Sequence, residues 1–405
     1  MKTMTIYFVA GEVSADNHGA ALMRSLRQCD PALQLIGRGG PQMAQLASRQ
    51  FNNWIGDAAV LGLWEVLRKY GYFREQFRQT LTEILDNKPD AVVLIDYPGF
   101  NLRLAHALRQ RSLRQKIIYY ISPQVWAWNR GRIKRMARIV DLVLCIFPFE
   151  ADLYNQSGLR AVFVGHPMME RLQARQINTE RDASLIGLFP GSRLREVRKI
   201  FPIMVQTARL LLKSTPRLRF EVAAASQELA RELHGMLPSQ LLQVIEITVG
   251  ETAEIMQRAW AGIVASGSAT LEAAYFRLPF VLIYKVALPT YLAARAVVKV
   301  NYLGMPNLLA NKEVVPEFIQ HRAQPHAIAD EMRMLVDDPA IREQMIADFD
   351  GIIGQIDGGG ASEKAARAII EELKSRPVGT NSPGGSPPAP RYGAPAETAA
   401  PSATQ

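Results

Sequence analysis

Two short stretches of the 405-residue chain place glycine and hydroxyl groups, in one of them with a guanidinium, where an apolar run gives way to a helical pattern. One is Phe189-Pro190-Gly191-Ser192-Arg193, and the other is Ala265-Ser266-Gly267-Ser268-Ala269-Thr270-Leu271-Glu272. Free backbone amides at a helix start, with an arginine fork beside them, suit a phosphate-like anion. Two such turns in one half of the chain favour a pyrophosphate. Glu272, about one turn into its helix, can accept both hydroxyls of a ribose. The same residues also suit ordinary turns, with Ser192 as N-cap and Glu272 as capping-box partner.

The first half offers a different chemistry. Gly11-Glu12-Val13-Ser14-Ala15-Asp16-Asn17-His18-Gly19 follows an apolar strand, and Glu12, Ser14, Asp16 and His18 can all face a cleft. Its glycine spacing is not the dinucleotide fingerprint, and a lone His18 equally suits a structural hydrogen bond. Asp96 ends the run Ala91-Val92-Val93-Leu94-Ile95 and precedes Tyr97-Pro98-Gly99-Phe100-Asn101. A carboxylate at the carboxyl end of a strand can take a proton from a substrate hydroxyl, or can close an Asx turn before Pro98.

The elements that must hold these groups alternate along the chain. Short β-branched or aliphatic runs are expected at 5–10, 33–37, 91–96, 116–121, 142–146 and 161–165, then at 184–189, 218–223, 242–248, 262–265 and 280–284. Helical patterns lie between them, which argues for parallel sheets covered by helices. The polar stretch 173–182 separates two similar halves: residues 1–172, residues 173–374, and a Pro/Gly/Ser/Ala/Thr-rich tail at 375–405 that reads as disordered. Open α/β sheets bind ligands beyond their strands' carboxyl ends, so the site should lie in a cleft between the halves.

Composition narrows the partners. The formal charge is +9, and ten basic residues lie between Arg103 and Arg138 with no acid from 97 to 140. One face should therefore attract anions: a phosphorylated substrate, an anionic membrane or nucleic acid. Cys29 and Cys145 are too few and too far apart for a disulfide framework or a metal cluster, which fits a reducing compartment. The six-residue run at 5–10 reads as a strand rather than an export signal, and no stretch approaches the roughly 18 apolar residues of a membrane span. Any membrane contact should be peripheral. Trp64, Leu67, Arg68 and Lys69 belong to a basic amphipathic pattern that can lie on a membrane or simply face the core. The only Asp-x-Asp pair, Asp348-Phe349-Asp350, falls late in a helical pattern, so no metal and no cofactor are expected at the site.

Taken together, the motifs Gly11-Glu12 through His18-Gly19, Ile95 to Asn101, Ser122-Pro123-Gln124-Val125-Trp126-Ala127-Trp128, Val164-Gly165-His166-Pro167, Leu188 to Arg193, Ala265 to Glu272 and Pro306-Asn307-Leu308-Leu309-Ala310 resemble the lipid-A-disaccharide synthases. The resemblance runs from about residue 5 to about 370. It implies a GT-B fold, in which two Rossmann-like domains face a central cleft. It further implies inverting transfer of 2,3-diacylglucosamine from its UDP donor to the 6-hydroxyl of 2,3-diacylglucosamine 1-phosphate, giving the β-1,6 disaccharide of lipid A and UDP.

Carried over by position, the resemblance gives Asp96 as general base, with Glu12 or Asp16 able to do the same job and Asn101 orienting. Ser192, Arg193 and the amides of Gly267 to Ala269 would stabilise the diphosphate, Glu272 would hold the ribose, and Asn307 the donor's polar groups. Trp64, Leu67, Arg68 and Lys69 would dock on the anionic inner face of the cytoplasmic membrane, with no nucleic acid as partner and a homodimer left open. Three positions depart from the family pattern: Ala15 for a Gly, Gly99 where some members carry Asp, and Asn311 for a Gly. Rivals are a related UDP-sugar enzyme, such as the undecaprenyl-linked N-acetylglucosaminyl transferase or a UDP-sugar epimerase, and a non-catalytic basic module.

Overall fold

The computed structural model describes residues 3–49, 51–55, 70–111, 115–125, 131–287, 291, 295 and 300–375. Trp64, Leu67, Arg68, Lys69, Trp126, Trp128 and the tail from 376 lie outside the described residues.

Two all-parallel sheets organise the chain. The first contains β1 (Thr5–Ala10), β2 (Gln34–Gly39), β3 (Phe51–Asn53), β4 (Ala91–Ile95), β5 (Lys116–Tyr120), β6 (Leu142–Cys145) and β7 (Ala161–Phe163), in spatial order β3-β2-β1-β4-β5-β6-β7. The second contains β8 (Asp182–Phe189), β9 (Arg219–Ala224), β10 (Ile245–Val249), β11 (Ala259–Ala265), β12 (Phe280–Tyr284) and β13 (Glu317–Ile319), in order β10-β9-β8-β11-β12-β13. In both sheets the order reverses beside the first strand, which opens a crevice at the strands' carboxyl ends.

Strands buried on both faces explain why their sequences are continuous apolar runs. In β1, Ile6, Phe8 and Ala10 pack under helix Val13–Cys29, while Tyr7 and Val9 face helices Tyr70–Asn87 and Pro98–Gln110. Arg38, 1% exposed, fastens helix Tyr70–Asn87 to this face through Glu83 at 2.9 Å. The edge strands β3 and β13 are three residues each and carry too little pattern to be read from sequence.

The last helix, Ala361–Lys374, does not stay with the second half to which the sequence assigns it. Its apolar face, including Ala365, Ala366 and Ile369, completes the layer over the first sheet beside helix Val13–Cys29. The buried Glu372 fixes it there by accepting from Lys116 Nζ at 2.6 Å and Arg160 Nη1 at 2.7 Å. Conversely, Phe147, Met168, Met169 and Leu172 pack into the core of the second half. The chain thus crosses between the halves twice, and the crossings touch where His166 N donates to Ile356 O at 3.1 Å.

Candidate functional site

In the second half, Phe189 and Val264 pair across β8 and β11, so the two anion-type turns leave the sheet side by side. Gly191 (φ +98°) and Gly267 (φ +150°) supply backbone conformations that a side chain would strain. Ser192, Arg193, Ser266, Gly267, Ser268, Ala269 and Glu272 all line one cavity of about 340 Å³. Arg193, mostly exposed, donates to Glu196 Oε1 at 3.1 Å, and Thr270 is buried with its hydroxyl on Gly267 O at 2.8 Å, which shapes the turn from behind.

Residues the sequence reading did not single out complete this cavity. Arg171 and Arg175 reach it from the first crossing, whose helix Met168–Gln173 the sequence did not reveal. Arg171 Nη2 lies 3.2 Å from Glu272 Oε1, tying the crossing to the cavity wall. A basic pair four residues apart behind His166-Pro167 was the available signal, split between the end of the first half and the polar stretch 173–182. Two imidazoles lie close enough to Arg171 to feel its charge. Burial, then Arg171, pushes His18 down to about 4; burial, then His18 and Arg171, pushes His166 down to about 3. Both are neutral near pH 7, which lets them share space with a guanidinium.

In the first half, Ala10 pairs with Ile95 and Ile95 with Tyr120, so Gly11-Glu12, Asp96 and Ile121 emerge from adjacent strand ends. Asp96 (φ +46°), Tyr97 (φ +48°) and Ile121 (φ +62°) all adopt the left-handed region, at a cost of about 1–3 kcal/mol each, which the surroundings must hold in place. Asn101 does part of this: its Nδ2 donates to Ile95 O at 3.2 Å and Asp96 O at 2.7 Å. Tyr119 Oη donates to the same Asp96 carbonyl at 2.6 Å. The Asp96 carboxyl is raised above the ordinary carboxylate range, by burial first and then by Glu12. Glu12 and Ser14 are exposed at the same edge.

Three residues expected at the substrate are engaged within the fold. Asp16 is 2% exposed, and its carboxylate accepts from Gly40 N, Gln42 N and Met43 N at 2.9, 2.9 and 3.0 Å, which caps the short helix at Pro41 instead of orienting a substrate. Asn101 is fully buried beneath the Asp96 turn rather than open to the cleft. Asn307 is fully buried too: Nδ2 donates to Val315 O and Glu317 Oε1, and Oδ1 accepts from Val314 N and Val315 N, all within 3.0 Å. An amide has two donors and two lone pairs, so none is left for a donor sugar. The departure at Asn311 is absorbed: it sits at φ +50° as a helix C-cap, a conformation that Asn tolerates. The Asp348 and Asp350 carboxylates pair separately with Lys312 and Arg277 on the helix surface.

A family model described as lipid-A-disaccharide synthetase matches residues 6–357. A lipid-A-disaccharide synthase of Geobacter sulfurreducens is 37% identical over 376 residues, covering 91% of this chain and 97% of its own length. That of Myxococcus xanthus is 34% identical over 380 residues, with 91% and 97% covered. Among solved structures, an S. aureus MnaA–UDP co-structure superposes with TM-score 0.60 at 14% identity, covering 92% of this chain and 97% of that one. The UDP-GlcNAc 2-epimerase of Neisseria meningitidis bound to UDP-GlcNAc gives 0.56 at 13%, covering 92% and 99%. A ugt transferase of Siraitia grosvenorii in complex with UDP gives 0.57 at 11%, covering 92% and 100%. At such identities these structures carry the fold, the GT-B arrangement of two Rossmann-like halves, and no more. With the family match spanning both sheets and both sets of strand-end turns, the chain belongs to the lipid-A-disaccharide synthase family of glycosyltransferases.

Proposed function

We propose that the chain transfers 2,3-diacylglucosamine from UDP-2,3-diacylglucosamine to the 6-hydroxyl of 2,3-diacylglucosamine 1-phosphate, with inversion and without a metal. The observation that carries this reading is the second-half cavity, where two glycine-hydroxyl turns meet Arg171, Arg175 and Arg193. Such a lining suits a nucleotide diphosphate, whose negative charge grows as the sugar C1–O bond breaks. Glu272 suits the ribose once Arg171 yields one of its oxygens. On the opposite lobe, Asp96 takes the proton of the acceptor 6-hydroxyl as its oxygen bonds C1 from the face away from the departing UDP. Burial and the charge of Glu12 raise Asp96's affinity for that proton, as a general base requires. The basic segment with Trp64, Leu67, Arg68 and Lys69 docks the enzyme peripherally on the anionic inner face of the cytoplasmic membrane; among the described residues no helix is long and apolar enough to cross one.

The test is mass-spectrometric detection of disaccharide 1-phosphate from the purified full-length chain and the two diacyl sugars. UDP release from non-acylated UDP-sugars as well would favour another UDP-sugar enzyme, and no UDP release at all would favour a binding module.

A further inference from the structure

In the second-half cavity, the carboxylate suited to a ribose already holds a partner from the chain itself. Arg171 Nη2 donates to Glu272 Oε1 at 3.2 Å, a contact between residues 101 apart that joins helix Met168–Gln173 to helix Ala269–Tyr275. We infer that this pair is a gate: Arg171 masks Glu272 until a phosphate group takes the guanidinium, so that the site holds a ribose firmly only when a diphosphate arrives with it. The inference rests on the reading of Glu272 as the ribose's hydrogen-bond acceptor and deepens it, by naming what separates a nucleoside diphosphate from a bare nucleoside.

Exposure divides the pair unevenly. The Glu272 side chain is 17% exposed and that of Arg171 56%, so the carboxylate is the covered member and the guanidinium the accessible one. The backbone under Arg171 is pinned. Met168, Met169 and Leu172 are buried in the second half's core, and Glu170 Oε1 accepts from Ser362 N at 3.3 Å. Opening the gate therefore asks only one long side chain to turn. An ion pair this exposed on one side contributes little free energy, which a phosphate can outbid.

The chemistry of the two ligands sets the direction. Two ribose hydroxyls carry no charge, so a bare nucleoside must part an ion pair without replacing it. A diphosphate gives the guanidinium a bidentate anionic partner in exchange, and Glu272 is then open to the diol. The other arginines of the cavity are held differently. Arg193 pairs with Glu196 three residues along, and Arg175 donates to Gly250 O at 3.2 Å beside Glu254, so theirs are not the carboxylate a ribose needs.

The experiment measures how much the 2′-hydroxyl contributes to binding with and without the diphosphate. UDP, 2′-deoxy-UDP, uridine and 2′-deoxyuridine are titrated into the full-length wild type, Arg171→Met and Glu272→Gln, by calorimetry or, for the weak nucleosides, by saturation-transfer NMR. In the wild type the hydroxyl should contribute about tenfold to UDP, as a hydrogen bond to a charged group does, and about threefold or less to uridine. In Arg171→Met it should contribute about tenfold to both, with uridine bound about threefold more tightly than in the wild type and UDP about tenfold less. These opposite signs separate a gate from a general structural loss, and each ratio is independent of the folded fraction. Equal hydroxyl contributions in wild-type UDP and uridine, or equal losses of both ligands in Arg171→Met, would overturn the gate, while disaccharide formation in the same preparation would leave the transferase reading intact. A wild-type hydroxyl ratio retained in Glu272→Gln would overturn the ribose assignment and the gate with it. The expected ratios in a chain that makes no disaccharide would support the gate and sink the transferase reading instead.

Discussion

The ring of Tyr97 lies directly over the backbone of Gly11, so that a methyl group built on Gly11 would sit 2.5 Å from Tyr97 Cδ1. Tyr97 also meets Trp54 edge-on at 6.3 Å, and Trp54 Nε1 donates to Ala10 O at 2.7 Å. One aromatic contact therefore sets the spacing between the loop carrying Glu12 and the turn carrying Asp96. Gly11→Ala should displace Tyr97 and with it Asp96, lowering kcat by roughly a hundredfold, as small misplacements of reacting groups do. Calorimetric UDP affinity should hold, because that cavity is built on the other sheet; equal losses in both quantities would mean general unfolding.

Asp96→Asn removes the proposed proton acceptor while keeping shape. Turnover should fall by on the order of a hundredfold or more, with UDP still bound. In the wild type, the raised Asp96 pKa moves the acid limb of kcat/KM above the usual carboxylate range, because the base works only when deprotonated. Near-normal turnover in Asp96→Asn would hand the role to Glu12.

Asn307→Ala tests a structural assignment. Four hydrogen bonds disappear, and Val314 N, Val315 N, Val315 O and Glu317 are left short of partners in the core. A loss of roughly 3 kcal/mol in urea unfolding is expected, with donor KM in the folded fraction unaltered. A stable variant with a raised donor KM would restore Asn307 to the binding site.

The two depressed histidines give the fold an acid sensitivity. Between about pH 6.5 and the folded values near 4 and 3, the unfolded chain binds protons that His18 and His166 in the native state do not, so stability falls as pH falls through that window. His166→Asn keeps an acceptor for Met168 N, which bonds Nδ1 at 3.2 Å, but carries no titrating ring. Its melting temperature should drop less between pH 7 and pH 4.5 than that of the wild type. Parallel curves would remove His166 from the explanation.

Membrane docking is checked at the undescribed segment. Leu67→Asp with Lys69→Glu replaces an apolar anchor and a cation by two acids, and should reduce co-sedimentation with anionic vesicles and activity on acylated acceptor. Unchanged partition would dismiss the docking role.

What the sequence disclosed follows from burial. Strands such as β4 and β12, apolar on both faces, are legible as runs, and the turns after β8 and β11 are legible because glycine and hydroxyl residues cluster there. Asp16 and Asn307 misled for the opposite reason. A polar residue near a helix start looks the same in sequence whether it meets substrate or closes over backbone amides, and only the fold reveals which. Arg171 escaped notice because its importance comes from Glu272, a hundred residues away, and no local pattern encodes that meeting.

The return of residues 361–374 to the first sheet has a practical corollary. A fragment stopped at residue 172 would lose the roof over Ile6, Phe8 and Leu22 and strand Lys116 without its carboxylate, so it should aggregate rather than fold. The same return makes the opening lobe discontinuous in the gene: the ribosome must finish nearly the whole polypeptide before that lobe can close. Cutting the enzyme into two soluble pieces would require a permuted gene that joins the last helix to the first strand.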